Sequence, residues 1–541
     1  MRRVAPSRRR YQRNRRIVRR RRVEGELPDT HALRVRNNAM CSIRREHVRS
    51  LLVRRSGRLH SRHGSPEASA TLSHALMSET DARAPVSDRL SRGDIPFVIC
   101  ALVSGIFVLY LGRSLTFWYD EWRSITFDGG PLDFLRPVNE HWSTLPLLLY
   151  RATFNAVELH SYMPYLVQVI VLHLVAVAGA YVLMRGRVGR MTATLLALPL
   201  LLLGAGAENL YWAFQTGFVG SVAFGVWALV LVERDDRRGH VLASALLVAS
   251  LMSSGIGLFF VAAVGARTLA DRMYRACAVA AAPSAVAYLL WFAAFGHDAV
   301  GESREIAGPA SVARFVFRSV GFATESMVGL HRAPTGRAVG VAIFLILCMI
   351  VVRQLVRGRR QGLAVGCLVG MTSMYTGIGV ARAELEPDYT TRSRYVYIAA
   401  FFLVLCIADL LRHGASTRTS PSSRARLAAL AAGGLLLAWV VVVNIGSLFT
   451  VRTQFQFQAD VTRAIIQLAV EHEGEAWLDP DAGLDFIPPA RDLPSLVERH
   501  GSPLEDDYFA SVARVPTAAA FQAARRYLSR KVDKDPSKSG A

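Results

Sequence analysis

Polar and apolar positions alternate along this chain in long blocks rather than residue by residue. Eleven apolar runs stand out, at about 95–112, 163–184, 191–206, 215–232, 241–252, 255–266, 277–296, 338–352, 363–381, 395–411 and 427–447. The longer ones approach the ~20 residues that cross a bilayer as a helix. A helix pairs its own backbone groups, which hydrocarbon requires of any segment lying in it. The pattern therefore predicts an all-α, polytopic membrane protein with about eleven transmembrane helices. Composition agrees: 52% of the 541 residues are hydrophobic and mean hydropathy is +0.26, which excludes an ordinary soluble protein.

The polar connections give the expected sidedness. Short Arg-rich links occur at 185–190, 233–240, 267–276, 353–360 and 412–426, and the positive-inside rule puts them in the cytoplasm. The run 241–266 has to be split at "SSGIG", Ser253–Gly257, for this parity to hold; otherwise every later basic link is inverted. Glycine and serine give the backbone freedom to turn there. The N-terminus is then cytoplasmic and the C-terminus extracytoplasmic. A long first outer loop covers about 113–162. Three domains follow: an Arg-rich disordered segment 1–94, a membrane domain 95–447 and a small extracytoplasmic segment 448–541. No internal repeat or heptad array is visible.

Charge changes this picture little. Residues 1–76 hold 21 arginines against five acids and carry +16 of the formal +22. Such a block fits a disordered cytoplasmic tail, or sequence upstream of a start at Met77, better than a nucleic-acid arm. Cys100, Cys277, Cys348, Cys367 and Cys406 fall in or beside apolar runs and Cys41 in the basic block, with no CxxC. They read as small hydrophobes rather than a disulfide framework or metal site.

The unusual polar groups all fall on the predicted outer side. "FWYDEWRSI" puts Asp120 and Glu121 among aromatics just after the first run. Acids are costly beside hydrocarbon unless something uses them, although Trp118, Tyr119 and Trp122 also fit an interfacial belt around a solvated pair. "NEHWSTLP" offers Glu140 and His141 for titration or metal binding, or else a cap before an amphipathic surface helix. In "ENLYWAFQ", Glu208, Trp212 and Gln215 recur at i, i+4 and i+7, predicting one helix face suited to sugar hydroxyls, with the indole as a stacking surface. "TTRSRYVYIAAFF" starts a span with Arg392, Arg394 and Tyr395; a guanidinium fork matches phosphate oxygens, or it snorkels to headgroups.

The order of these features resembles the GT-C superfamily of membrane glycosyltransferases, above all its protein O-mannosyltransferase and aminoarabinose-transferase branch. Asp120–Glu121 matches the acidic pair of the first outer loop, Arg394–Tyr395 the Arg-Tyr near the start of a late span, and the resemblance covers about 95–447. The C-terminal stretch has no match, and the Glu208 corner matches a second acidic motif only loosely, leaving any divalent metal open. The resemblance implies a polyprenyl-phosphate sugar donor. The acceptor would be an envelope glycan, lipid or protein, and the enzyme would sit among the lipids of the plasma membrane. It also implies that Asp120 is the general base with Glu121 assisting, that Arg394, with Arg392, stabilises the departing phosphate, and that the anomeric centre inverts. The competing classes are a transporter or flippase, which would show inverted repeats around broken mid-membrane helices, and a non-catalytic assembly protein.

Overall fold

Each apolar run is helical over most of its length in the computed structural model. It describes residues 91–529 except 128, 235, 300–306, 331–332, 385–386, 415–422, 483–486 and 505–514. The chain divides into two units, Met1–Ala84 and Pro85–Ala541; only the second contains described residues, and the expectations for the Arg-rich block lie outside them.

In chain order the helices that matter here are α1 (Ile95–Gly112), α2 (Glu121–Ile125), α3 (Thr144–Val157), α4 (Met163–Val188), α5 (Arg190–Leu201), α6 (Thr216–Val232), α7 (Arg237–Ser253), α8 (Gly257–Ala270), α9 (Ala282–Ala294), α10 (Pro309–Met327), α11 (Gly336–Val356), α12 (Gly362–Arg382), α13 (Ser393–Gly414), α14 (Ser423–Glu471), α15 (Leu493–His500) and α16 (Ala518–Leu528). Eight described helices are long and apolar enough to cross a membrane, and α5 and α8 belong to shorter apolar helices. Proline opens α1, α4 and α10, where its missing N–H has no intrahelical partner to lose.

Packing sorts the helices by depth. The spans containing α6 and α13 are 78% buried over their most apolar windows, against 11% for α14 and 17% for α11. On the outer helices the exposed residues are large and apolar, among them Ile99, Val103 and Ile106 of α1 and Ile346 and Met349 of α11. Such faces suit hydrocarbon, not water. Inside, helices approach closely over small residues: a Cβ on Gly366 of α12 would lie 2.5 Å from the Ala263 carbonyl of α8, the small-residue contact by which membrane helices associate.

One end of the bundle is tied by buried charge. Arg187 of α4 donates to Asp409 of α13 at 2.8 Å and also to Glu233, just after α6. Arg267 of α8 reaches the same Glu233 carboxylate at 2.8 Å and the Leu229 carbonyl at 2.6 Å, and the Ala364 N–H of α12 donates to Asp409 at 3.0 Å. Asp94 at the start of α1 accepts from Tyr181 and lies 3.3 Å from both Arg185 and Arg190. The links at 185–190, 233–240 and 267–276 thus begin at one end. The chain can do this only because α7 stops at Ser253, Ser254 is extended (φ −169°) and α8 restarts at Gly257. SSGIG is a break, as its composition suggests.

At the other end the connection 113–162 is folded rather than loose, holding α2 and α3. Helix α3 buries Leu147 while Leu148 and Leu149 face outward. The last apolar run is only the first part of α14, a single helix of 49 residues. At 1.5 Å per residue this is about 70 Å, more than twice a ~30 Å hydrocarbon core. Its second half caps α1: Arg452 donates to the Leu111 carbonyl at 2.8 Å and Arg463 to the Ser114 carbonyl at 3.1 Å. The Leu111 carbonyl is one that a helix end leaves without an intrahelical donor, and Ser114 lies just past that end. Helices α15 and α16 pack against α14.

Candidate functional site

The two neighbouring acids are built into different surroundings by one turn of backbone. Tyr119 takes a left-handed conformation (φ 51°), unusual for an aromatic side chain. Helix α2 then starts at Glu121 with Asp120 at its N-cap. Neighbours on a helix point about 100° apart, so one carboxylate turns into the core and the other away from it.

Glu121 is the inward one and is wholly buried. Its Oε1 accepts from the Tyr150 hydroxyl (2.8 Å), the Tyr162 hydroxyl (2.9 Å) and the Phe214 N–H (3.1 Å), while Oε2 accepts from the Trp118 N–H (2.7 Å). The residue joins α2, α3, the start of α4 and the 212–215 corner. Complete desolvation pushes its pKa up to about 8 although all four donors favour the anion.

Asp120 is also buried, at 6% exposure, but stands among polar and charged groups. Burial raises its pKa; a hydrogen bond from Asn139 and the charges of Arg394 and Arg123 oppose that rise. Asn139 is placed by a tight turn. Asn139 and Glu140 both have positive φ (47° and 69°), and Val138 and His141 exchange both backbone hydrogen bonds at 3.0 and 2.9 Å. This is the type I′ pattern, natural for Asn and strained for Glu. It aims Asn139 at Arg123 (3.3 Å) and Glu140 at Arg382 (3.3 Å).

His141 follows the turn and packs on the SSGIG break, where a Cβ on Gly255 would come within 2.9 Å of its Nδ1. Its ring lies 5.6 Å from Phe218, whose other neighbour at 6.3 Å is Tyr395. Burial lowers the His141 pKa to about 4, the charges of Arg382 and Arg394 adding to the effect and Glu140 opposing it. The imidazole is neutral at pH 7.

The start of α13 supplies the cation. Arg394 lies 3.6 Å from Glu208, its N–H donates to the same carboxylate at 3.2 Å, and its carbonyl accepts from Asn209 at 3.0 Å. Its Nε is buried without an acceptor. Glu208 thus sits directly on the guanidinium, not across a sugar-wide gap from it. Arg392 and Arg382 both lie over the Tyr389 ring, at 5.4 and 5.0 Å.

One expectation about the corner is corrected. Glu208, Trp212 and Gln215 do not share a helix face. Helix ends at Tyr211, Trp212 is extended (φ −113°, ψ 108°) and a separate 3-10 turn runs Ala213–Gln215. The interruption turns Trp212 onto the acidic motif: its Nε1 donates to the Trp118 carbonyl at 3.3 Å and the two indoles lie 4.9 Å apart. Gln215 is buried with its Oε1 unpartnered. Sequence reasoning missed Asn139, Arg382, Tyr150 and Tyr162. The first two had a signal, Asn in a polar turn and an Arg at the outer edge of a span; the tyrosines had none, because only folding carries them to Glu121. Among the described residues no three His, Cys, Asp or Glu side chains gather into a metal-sized group.

No protein-family model and no curated protein matches the chain. Among solved structures, the crystal structure of ArnT from Cupriavidus metallidurans in the apo state is similar, with a TM-score of 0.46 and 15% identity over 75% of this chain and 89% of that one.

Proposed function

We propose that the chain is an integral membrane glycosyltransferase that moves a sugar from a polyprenyl-phosphate donor to an acceptor hydroxyl on the extracytoplasmic side. Eleven crossings and an outward C-terminus complete this reading. The observation that carries it is the meeting of Asp120, His141 and Arg394, drawn from three distant parts of the chain, close enough for the Arg394 charge to bear on both of the others. It joins the motif order that resembles the GT-C superfamily.

In this mechanism the Asp120 carboxylate takes the acceptor O–H proton, and the freed lone pair attacks the anomeric carbon from the face opposite the phosphate. The sugar–phosphate C–O bond breaks, its electrons leave on the lipid phosphate, and the anomeric configuration inverts. The raised pKa makes Asp120 a stronger base than a solvated carboxylate. Arg394, with a donor left over, receives the phosphate charge; Arg392 and Arg382 stand beside it. Glu121, with its lone pairs engaged, acts by holding Asp120 and the 212–215 corner in place. His141 and Tyr395 line the approach, and Trp212 and Gln215 border it.

The test is transfer from a polyprenyl-phosphate sugar in membranes, with donor binding measured separately. Asp120→Asn should lower turnover by about 10²–10⁴-fold with donor binding and abundance unchanged. Arg394→Lys keeps the charge but loses the fork, so donor affinity should weaken. An Asp120→Asn protein with near-normal turnover removes Asp120 as the base and turns the assignment towards a transporter or assembly protein.

A further inference from the structure

The C-terminal stretch forms one wall of a cavity whose chemistry the proposed transfer leaves unused. The cavity is about 890 Å³, inside the range of about 300–1,000 Å³ typical of ligand sites. Its floor is Ile125 and Thr126, where α2 ends. Asp120 lies five residues earlier, about 8 Å away along the helix axis. Arg151 and Asn155 of α3, with Glu158 just past its end, line one side at i, i+4 and i+7, and Leu496, Arg499 and His500 of α15 line the other at i, i+3 and i+4, the spacings of one helix face. The two walls are joined where the Leu159 N–H donates to the His500 carbonyl at 3.0 Å.

The charges in the cavity are unevenly matched. Glu158 lies 3.3 Å from His500 and 3.9 Å from His160, and Asp492 at the rim has Arg491 beside it at 3.9 Å. The guanidiniums have no acid among the described residues. Arg499 gives Nε and one terminal nitrogen to Ser495, at 3.0 and 3.4 Å, which leaves its other terminal nitrogen. Among the described residues Arg151 has the Phe154 ring beneath it, 5.9 Å from the centroid. Two such forks facing one space favour carboxylate or phosphate. Phe127 and Phe154 beside Asn155 and Thr126 give the mixed apolar and hydrogen-bonding wall that a sugar ring needs.

We infer that this cavity is the acceptor subsite and that it takes an acidic glycan, held by Arg151 and Arg499 with its reactive hydroxyl towards Asp120. The inference rests on the transferase reading, but its test does not depend on turnover. Binding of trigalacturonic acid and of neutral maltotriose to the purified full chain in detergent is measured by calorimetry. The acidic trisaccharide should bind at least tenfold more tightly, and Arg151→Gln with Arg499→Gln should abolish the preference while leaving the elution volume and melting temperature unchanged. Arg151→Glu should reverse it, favouring the trimer of glucosamine over trigalacturonic acid. Asp120→Asn should bind all three as the unaltered protein does, so a failed transfer assay and a failed binding assay are separate results. Equal binding of acidic and neutral trisaccharides, or an acidic preference that survives the double substitution, overturns the assignment. So does competition by a polyprenyl phosphate, which would make the cavity a donor site.

Discussion

Glu121 and Asp120 are adjacent in sequence and differ in what their neighbours do with charge. Because the pKa of Glu121 rises from an ordinary 4.5 to about 8 on folding, the unfolded chain loses this proton first. Below about 4.5 both states hold the proton and the group contributes no pH dependence. Between 4.5 and 8 only the folded state binds it, so stability falls as pH rises through that window and levels off above it. The melting temperature in detergent should therefore decline from pH 5 to pH 8, and Glu121→Gln should remove that decline. The same variant should cost about 1–3 kcal/mol, since the amide nitrogen meets a group that also donates. A wild-type melting temperature that rises over this interval would show that the four donors outweigh desolvation.

At the scale of elements, the break between α7 and α8 does two things. It reverses the chain, which brings Arg267 to Glu233, and it offers Gly255 as the surface on which His141 rests. Valine at Gly255 would push on the imidazole, already 2.9 Å from where a Cβ would stand. Gly255→Val should lower transfer about tenfold or more, as small misplacements at reacting groups do, with abundance in the membrane nearly unchanged. The reversal also sets the topology. In a cysteine-free background, Leu132→Cys should react with an impermeant thiol reagent added from outside, and Arg275→Cys should not. The opposite labelling pattern would invert the orientation of the whole chain.

The molecule as a whole has one end closed by ion pairs and one end given to the polar cluster. Glu233 faces both Arg187 and Arg267; replacing it leaves Arg187 with Asp409 alone and takes from the buried Arg267 the acid it pairs with among the described residues. Breaking a buried pair in this way costs about 3–5 kcal/mol. Glu233→Gln should lower the melting temperature well beyond what the same change does at the exposed Glu475, while donor affinity in the protein that remains folded is unchanged. A loss of donor affinity without a loss of stability would instead tie the two ends of the bundle together functionally. The long α14 supports the open end from outside the apolar bundle: Arg452 and Arg463 hold the end of α1, from which the acidic motif departs.

Much of this was legible in the order of residues. Length and hydropathy of each run determine a helix locally, because a backbone in hydrocarbon must pair with itself. Serine and glycine at 253–257 mark the break, and the basic links mark which helix ends belong together. The residue types near the site were also partly readable: acids among tryptophans, a Glu-His pair in the first outer loop, an Arg-Tyr at a helix start. Their partners were not, because contacts such as Glu121 with Tyr150 and Phe214 or Glu140 with Arg382, 29, 93 and 242 residues apart, depend on how helices pack, and no local pattern records that. Only the tertiary structure separated Asp120 from Glu121, putting four donors around one and Asn139 and Arg394 near the other. It alone broke the 208–215 helix at Trp212, where packing of the indole on Trp118 overrides the helical spacing. It alone drew Arg382 into the cluster and folded the unmatched C-terminal stretch back beside α3, where two helix faces unrelated in sequence enclose one cavity.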